Sequence, residues 1–207
     1  MHTFIAPLFS FSLALLQGAG YVSIGGHSGV EVFQKKDSPG IELATVGEIA
    51  ATPAEVQAVL LDYAHHPRYT PRLTESRVLE KRDGELYVYE HLKLPVINDR
   101  DYTLHVTWNP GEPRGIQFSV ENSHGPKPRA GAVRMTTLIG RWDLEPIQGG
   151  KATRATYRVQ IDFAGSVPRW MVRGGAAKEL PGLYDGIRFE AAVRRLQTPN
   201  GVSTASR

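Results

Sequence analysis

Glu90 shares a period-two face with Leu86, Val88, Leu92 and Leu94. A carboxylate on an otherwise apolar face must find a partner, shift its pKa or reach water. Two roles fit it: contact with the polar end of a bound ligand, or plain scaffold pairing with Arg100 or another neighbour. Arg100 and Asp101 are consecutive within an alternating run, so as strand residues they point to opposite faces and cannot line one pocket together. A structural role is expected for them, one charge pinning the sheet edge or a neighbouring helix through hydrogen bonds. His105 and Tyr157 are weaker polar candidates.

Other arrangements that carry chemistry are incomplete. His65 and His66 are adjacent, which does not turn both rings to one metal, and no H-E-x-x-H occurs. Gly26-His27-Ser28-Gly29 falls short of a hydrolase elbow because residue 30 is Val30. Gly18-Ala19-Gly20 leads to Ser23 where a dinucleotide fingerprint needs glycine or alanine, and there is no Walker sequence. With Cys 0, disulfides, thiolate metal sites and cysteine nucleophiles are excluded. No compact acid–base pair is present. Neither a metal nor a cofactor is expected.

The chain has 207 residues, 41% hydrophobic and 22% charged, enough for one ordinary domain with its own core. A net charge of +3 is too small to argue for nucleic acid. Phe4 to Leu16 reads FIAPLFSFSLALL, uncharged, too short to span a bilayer and of the length of a signal-peptide apolar region. Small residues follow at Gly18, Ala19 and Gly20, although no Lys or Arg precedes the run. The expected organisation is a signal peptide over 1–20, a linker over 21–28, a domain over 29–197 and a flexible tail over 198–207. Export to the periplasm or cell envelope follows, or a cytoplasmic location if the leader is not a signal.

The elements that must position Glu90 and its neighbours are mostly strands. Val30 to Lys35 and Ile41 to Ala50 alternate, and Thr52-Pro53 opens a helix with the stripe Val56, Val59, Leu60, Tyr63, ended by Pro67 and Pro71. Alternation then recurs over Leu73 to Lys81, Glu85 to Leu94, Asp101 to Trp108, Ile116 to Val120, Val133 to Ile147 and Ala155 to Phe163. A phase slip near Gly140 to Trp142 predicts a bulge. Turn residues at Asp83-Gly84, Pro110-Gly111 and Gly149-Gly150 make this an antiparallel meander. From Pro168 to Leu196 the periodicity is helical, with Trp170, Ala177, Leu180, Leu183, Tyr184, Ile187 and Ala191 on one stripe. Pro181-Gly182 should kink or divide that helix and could serve as a hinge. The order predicts an α+β fold: a curved antiparallel sheet covered by a long carboxy-terminal helix, with an apolar chamber between them able to take a small molecule.

Four segments resemble the START domain, the lipid-transfer module of the helix-grip superfamily that also contains the Bet v 1 proteins. They are Ile41 to Tyr63, His66 to Lys81, Leu94 to Val106 with Arg100, Asp101 and Tyr102 as its Arg-Asp-aromatic signature, and Gly165 to Arg188. The resemblance extends over Gly29 to Leu196. It implies a non-catalytic binder, and possible carrier, of a small hydrophobic ligand, a lipid. Sterol-transporting relatives carry an arginine six positions after the Arg of Arg-Asp; here that position is Val106, which puts sterol in doubt.

The cavity residues expected from the inward faces are Val88, Glu90 and Leu92, then Leu104, Val106 and Trp108, then Phe118 and Met135. Tyr157, Val159 and Ile161 follow on the last strand, and Met171, Leu180, Leu183, Tyr184 and Ile187 on the helix. The basic side of that helix (Arg169, Arg173, Lys178, Arg188, Arg194, Arg195), with Trp170 and Met171 at its start, suggests transient contact with an anionic membrane surface. A monomer is expected, with no nucleic-acid partner. The alternatives are a polyketide cyclase-like enzyme of the same superfamily and a quinone-binding or interaction protein.

Overall fold

The computed structural model describes residues 16–38, 40–164 and 169–197, apart from the side chains of 169–173. The expected tail and all but the end of the expected signal peptide lie outside them.

Ten strands form one sheet: β1 (Tyr21–His27), β2 (Val30–Lys35), β3 (Ile41–Ile49), β4 (Leu73–Arg82), β5 (Glu85–Leu92), β6 (Asp99–Trp108), β7 (Gly115–Val120), β8 (Ala132–Arg134), β9 (Thr137–Ile147) and β10 (Ala152–Asp162). Their order is β1-β2-β3-β10-β9-β7-β6-β5-β4, antiparallel throughout, with β8 paired parallel to β6 off this path. Two helices cover the inner face, α1 (Pro53–Leu60) and α2 (Arg169–Gln197). This is the expected α+β arrangement of a curved sheet and a long final helix.

Local chemistry explains α1. Glu55 N–H donates to Thr52 Oγ1 at 3.3 Å, and Thr52 N–H donates to Glu55 Oε2 at 2.7 Å. This reciprocal cap satisfies two helix-end donors. Val56, Val59 and Leu60 are buried beneath. The helix stops at Leu60, earlier than the prolines suggest, and a separate 3-10 turn over Tyr63–Arg68 contains Pro67.

Several expectations are corrected. Residues 21–27 are not a linker but β1. Gly25 and Gly26 supply φ of 129° and 146° at a register shift, and a Cβ on Gly26 would sit 2.1 Å from the Val30 carbonyl oxygen. That close approach requires glycine and reads in sequence as flexibility. The bulge expected near Gly140 is absent, since β9 pairs with β10 in unbroken register. The phase change is instead the break at Met135-Thr136 between β8 and β9. Nor is the last helix divided: α2 runs through Pro181 as one element.

The main core lies between the inner sheet face and the two helices, with Val88, Val106, Ile116, Val159, Tyr184 and Ile187 among its most enclosed side chains. Alternation along β3 sends Leu43 and Thr45 to that side and Ala44 and Val46 to the other. There a smaller cluster joins Ala44 and Val46 to Leu16, Tyr21 and Phe33. Leu16, the last residue of the apolar leader run, is therefore packed against the sheet.

Candidate functional site

Inward-facing side chains do not meet everywhere under α2. Toward its amino-terminal half they leave a cavity of about 500 Å³. Strand residues Leu43, Leu92, Tyr102, Leu138, Tyr157 and Ile161 make its floor, with Met135 from the break between β8 and β9 and Phe163 just after β10. Gly174, Gly175, Ala176, Leu180 and Leu183 of α2 roof it. Its rim is built by Thr70-Pro71-Arg72 and by Leu94, Pro95 and Ile97 of the β5–β6 connection. The lining is predominantly apolar. Charges sit at the rim, where Arg72 donates to Glu179 Oε1 through Nε at 3.0 Å and Nη2 at 2.7 Å. Lys178 also borders the opening.

Of the residues expected from sequence, Leu92, Met135, Tyr157, Ile161, Leu180 and Leu183 line this cavity. Val88, Leu104, Val106, Phe118, Val159, Tyr184 and Ile187 do not; they are packed in the core beyond it. Trp108 is elsewhere again, at the margin of the core beside a separate polar cleft with Arg114 and Asp143. Met171 lies outside the residues whose side chains are described. Residues missed from sequence are Leu43, Tyr102, Leu138 and Phe163 on the floor, Gly174, Gly175 and Ala176 on the roof, and the rim segments with Lys178 and Glu179. Leu94, which alternation places on the inward face, lies just past the end of β5, and Ile97 lies in the connection, where alternation gives no signal.

Glu90 stands behind the cavity lining rather than on it. It is buried, accepts from Ser76 Oγ at 3.1 Å, and is hydrogen-bonded by Tyr102. Burial pushes its carboxyl up to about 7, against the downward pull of those hydrogen bonds. His66 Nδ1 lies 4.0 Å from Glu90. Burial pushes this imidazole down to about 4, although Nε2–H donates to the Leu60 carbonyl at 3.0 Å. Pairing of Glu90 with Arg100 does not occur. Arg100 instead donates to main-chain carbonyls of Asn98, Phe163 and Ala164, the last at 3.0 Å, tying the start of β6 to the end of β10.

Asp101, on the opposite face, accepts from Arg134 Nε at 2.8 Å and Nη2 at 2.9 Å, from Arg129 N–H at 2.8 Å and from the Tyr89 hydroxyl at 3.2 Å. Burial pushes its carboxyl up, but these donors win and hold it below the usual range. His105 is on the outer sheet face, bonded to Glu85 at 3.0 Å and stacked on Tyr87.

Tyr157 is the polar group best placed on the cavity. Its ring is fixed against Trp142 (centroids 4.7 Å) and Phe118 (6.0 Å). Among the described residues no side chain or carbonyl bonds its hydroxyl. Also among the described residues, no group of three His, Asp or Glu is placed to hold a metal.

The basic helix face is largely engaged internally. Arg188 donates to the Glu48 carbonyl (3.0 and 2.7 Å), Arg194 to the Ala58 carbonyl (3.0 Å) and Arg195 to Glu55 (3.0 and 2.8 Å). Among the described residues of that face, Arg188, Arg194 and Arg195 are thus tied to the body of the domain.

Comparison with known proteins places this geometry. The family model described as polyketide cyclase / dehydrase and lipid transport matches residues 41–198. A protein of Pseudomonas aeruginosa is 24% identical over 152 residues, 72% of this chain and 74% of its own length. Among solved structures, a STAR-related lipid transfer protein from Xanthomonas axonopodis aligns with TM-score 0.73 and 23% identity, covering 84% of this chain and 99% of that one. Human STARD10 aligns with TM-score 0.72 and 17% identity, covering 93% and 82%. An aromatase/cyclase from Streptomyces aligns with TM-score 0.59 and 16% identity, covering 78% and 98%. At these identities the structural likeness shows a shared fold.

Proposed function

The chain belongs to the polyketide cyclase / dehydrase and lipid transport family, and from that premise we propose that it binds a hydrophobic ligand, a lipid, under α2 and releases it without bond chemistry. The observation that carries this reading is the apolar cavity of about 500 Å³, within the range that encloses one drug-sized ligand. Apolar contact holds such a ligand at roughly 25 cal/mol per Å² removed from water. Exchange proceeds by movement of the roof half of α2, whose Gly174, Gly175, Pro181 and Gly182 make it the intrinsically weaker half.

Transient contact with a membrane surface belongs to the same proposal. Its support is now the rim, where Val96 is 98% exposed between Pro95 and Ile97. Export is proposed on the uncharged run Phe4 to Leu16 alone.

The second reading, a cyclase-like enzyme, draws on one observation. A buried carboxyl held near 7 sits one hydrogen bond behind Tyr102, which lines the cavity, and a general acid–base group is useful near that value.

Native mass spectrometry of the purified protein, followed by solvent extraction, tests the first reading. A copurifying lipid, or uptake from vesicles loaded with fatty acids, phospholipids, sterols and quinones, is the expected result. A protein that stays empty across that panel overturns it.

A further inference from the structure

The Tyr157 hydroxyl is an unanswered polar group on an apolar lining. Its ring is clamped between Trp142 and Phe118, and Trp142 packs in turn on Tyr184 at 5.5 Å. The ring therefore has little freedom to swing its hydroxyl to another partner. Tyr184 offers a contrast. Its hydroxyl is fully engaged, donating to the Ala155 carbonyl at 3.0 Å and meeting Thr45 Oγ1 at 2.9 Å. Two tyrosines thus face the same interior; the protein satisfies one and leaves the other to the cavity. Tyr157 is half-buried and its hydroxyl opens onto the cavity, so a ligand that fills this space without a partner strands that hydroxyl, and a ligand that supplies one does not.

The surroundings restrict what that partner is. Around Tyr157 the lining is Leu43, Leu92, Tyr102, Met135, Leu138 and Ile161, so a carboxylate or phosphate brought to this end loses its hydration and meets no countercharge. The cationic groups Arg72 and Lys178 are at the rim, and Arg72 already holds Glu179. A tyrosine hydroxyl both donates and accepts, so it serves a carbonyl and an alcohol alike.

We propose that the cavity is selective for an uncharged single-chain or compact ring lipid with one hydroxyl or carbonyl oxygen, seated inward with that oxygen hydrogen-bonded to Tyr157. This rests on the reading of the cavity as a ligand chamber and adds the ligand's polarity and orientation.

Calorimetric titration of the full chain with four ten-carbon probes separates the two claims: decan-1-ol, decan-2-one, decanoate and n-butylbenzene. Decan-1-ol and decan-2-one are expected to bind about tenfold tighter than n-butylbenzene, the scale of one net hydrogen bond, and tighter than decanoate. Tyr157→Phe should remove that advantage and leave n-butylbenzene unchanged. A second readout does not depend on affinity: the carbonyl stretch of bound 13C-labelled decan-2-one should lie lower in the wild-type complex than in Tyr157→Phe. Equal binding of all four probes, preference for decanoate, or a carbonyl stretch indifferent to Tyr157→Phe overturns the inference while leaving the chamber intact. Failure of even n-butylbenzene to bind overturns both.

Discussion

The two halves of α2 do opposite things. From Tyr184 onward the helix is fastened to the body. The Tyr184 hydroxyl reaches β3 and β10, Arg188 holds the Glu48 and Ser28 carbonyls, Arg194 holds Ala58 and Asp62, and Arg195 holds Glu55 and Ala50. Gly186 lies so close to Tyr69 that a Cβ there would come within 2.4 Å of the tyrosine Cβ. Before Tyr184 the helix roofs a void. Gly174, Gly175 and Gly182 have nothing within 4 Å of where a Cβ would be. The described ties there are the Arg72–Glu179 pair and a 3.1 Å bond between His27 Nε2 and the Lys178 carbonyl. Length and periodicity are continuous across the boundary; packing is not. One element can therefore be anchor and lid at once.

Breaking the anchor should have the largest effect. Tyr184→Ala empties a fully enclosed site and leaves Thr45 and Ala155 without their partner, so a loss of about 4 kcal/mol is expected. Leu180→Ala, on the roof, should cost under about 1 kcal/mol because its side chain already borders empty space. Urea unfolding of the two variants measures the contrast. Equal losses would mean that the roof is packed as tightly as the anchor.

The fixed side also contains a pH signature. Glu90 in the folded state titrates near 7 rather than 4.5, so the folded protein holds a proton that the unfolded chain has released. Stability from this group is fully present below about 4.5 and lost as pH rises through 7. Relative to wild type, Glu90→Gln should gain roughly 3 kcal/mol between those limits. His66 has the opposite slope: held neutral down to about 4 instead of 6.5, it loses stability as pH falls across that range. The two slopes largely cancel in the wild type. His66→Gln should therefore uncover the decline with rising pH. Chemical denaturation from pH 4 to 8 is the measurement, and parallel wild-type and Glu90→Gln curves would contradict the burial of Glu90.

Pro181→Ala sharpens the contrast from the other side. Proline removes the N–H that would bond the Ala177 carbonyl, and alanine restores it. The expected gain is about 1 kcal/mol, below the full helix-propensity difference of about 3 because Pro181 is buried and the packing of its ring is lost. Slower amide exchange confined to 174–183, with slower ligand release, should accompany it. Exchange that slows equally beyond Tyr184 would show the helix moving as one rod.

The strands were legible because alternation reports which face is inward, and α1 because Thr52, Pro53 and Glu55 state its cap. Alternation does not report whether inward side chains meet. Val106 and Ile161 look alike in sequence, yet one is sealed in the core and the other faces the cavity. Tyr184 and Ile187 of α2 join the core cluster that contains Val106, whereas Gly174, Gly175 and Ala176 leave the space beside Ile161 unfilled. Those small residues were the available signal. Glu90 was identified as buried in an apolar setting, but Tyr102 as the group in front of it depends on cross-strand pairing of β5 with β6, Glu90 opposite Tyr102. The rim escaped detection because Arg72 meets Glu179 across more than a hundred positions of chain.

That rim pair is where the smallest effect is expected, and it appears in kinetics rather than stability. Arg72 and Glu179 are substantially solvent-accessible, so their attraction is screened and contributes little to folding. They join the rim to the roof, however, and any opening between Thr70-Pro71-Arg72 and α2 must part them. Arg72→Gln retains the Cβ at a position with φ of 66°, so the backbone conformation is disturbed as little as a side-chain change allows. The unfolding midpoint should stay where it is, while release of a fluorescent fatty alcohol should quicken a few-fold. In the wild type, raising salt toward 1 M shortens the Debye length to about 3 Å and should quicken release in the same way. In Arg72→Gln and Glu179→Gln that salt response should vanish. A salt response that survives both substitutions would place the parting surfaces elsewhere on the rim.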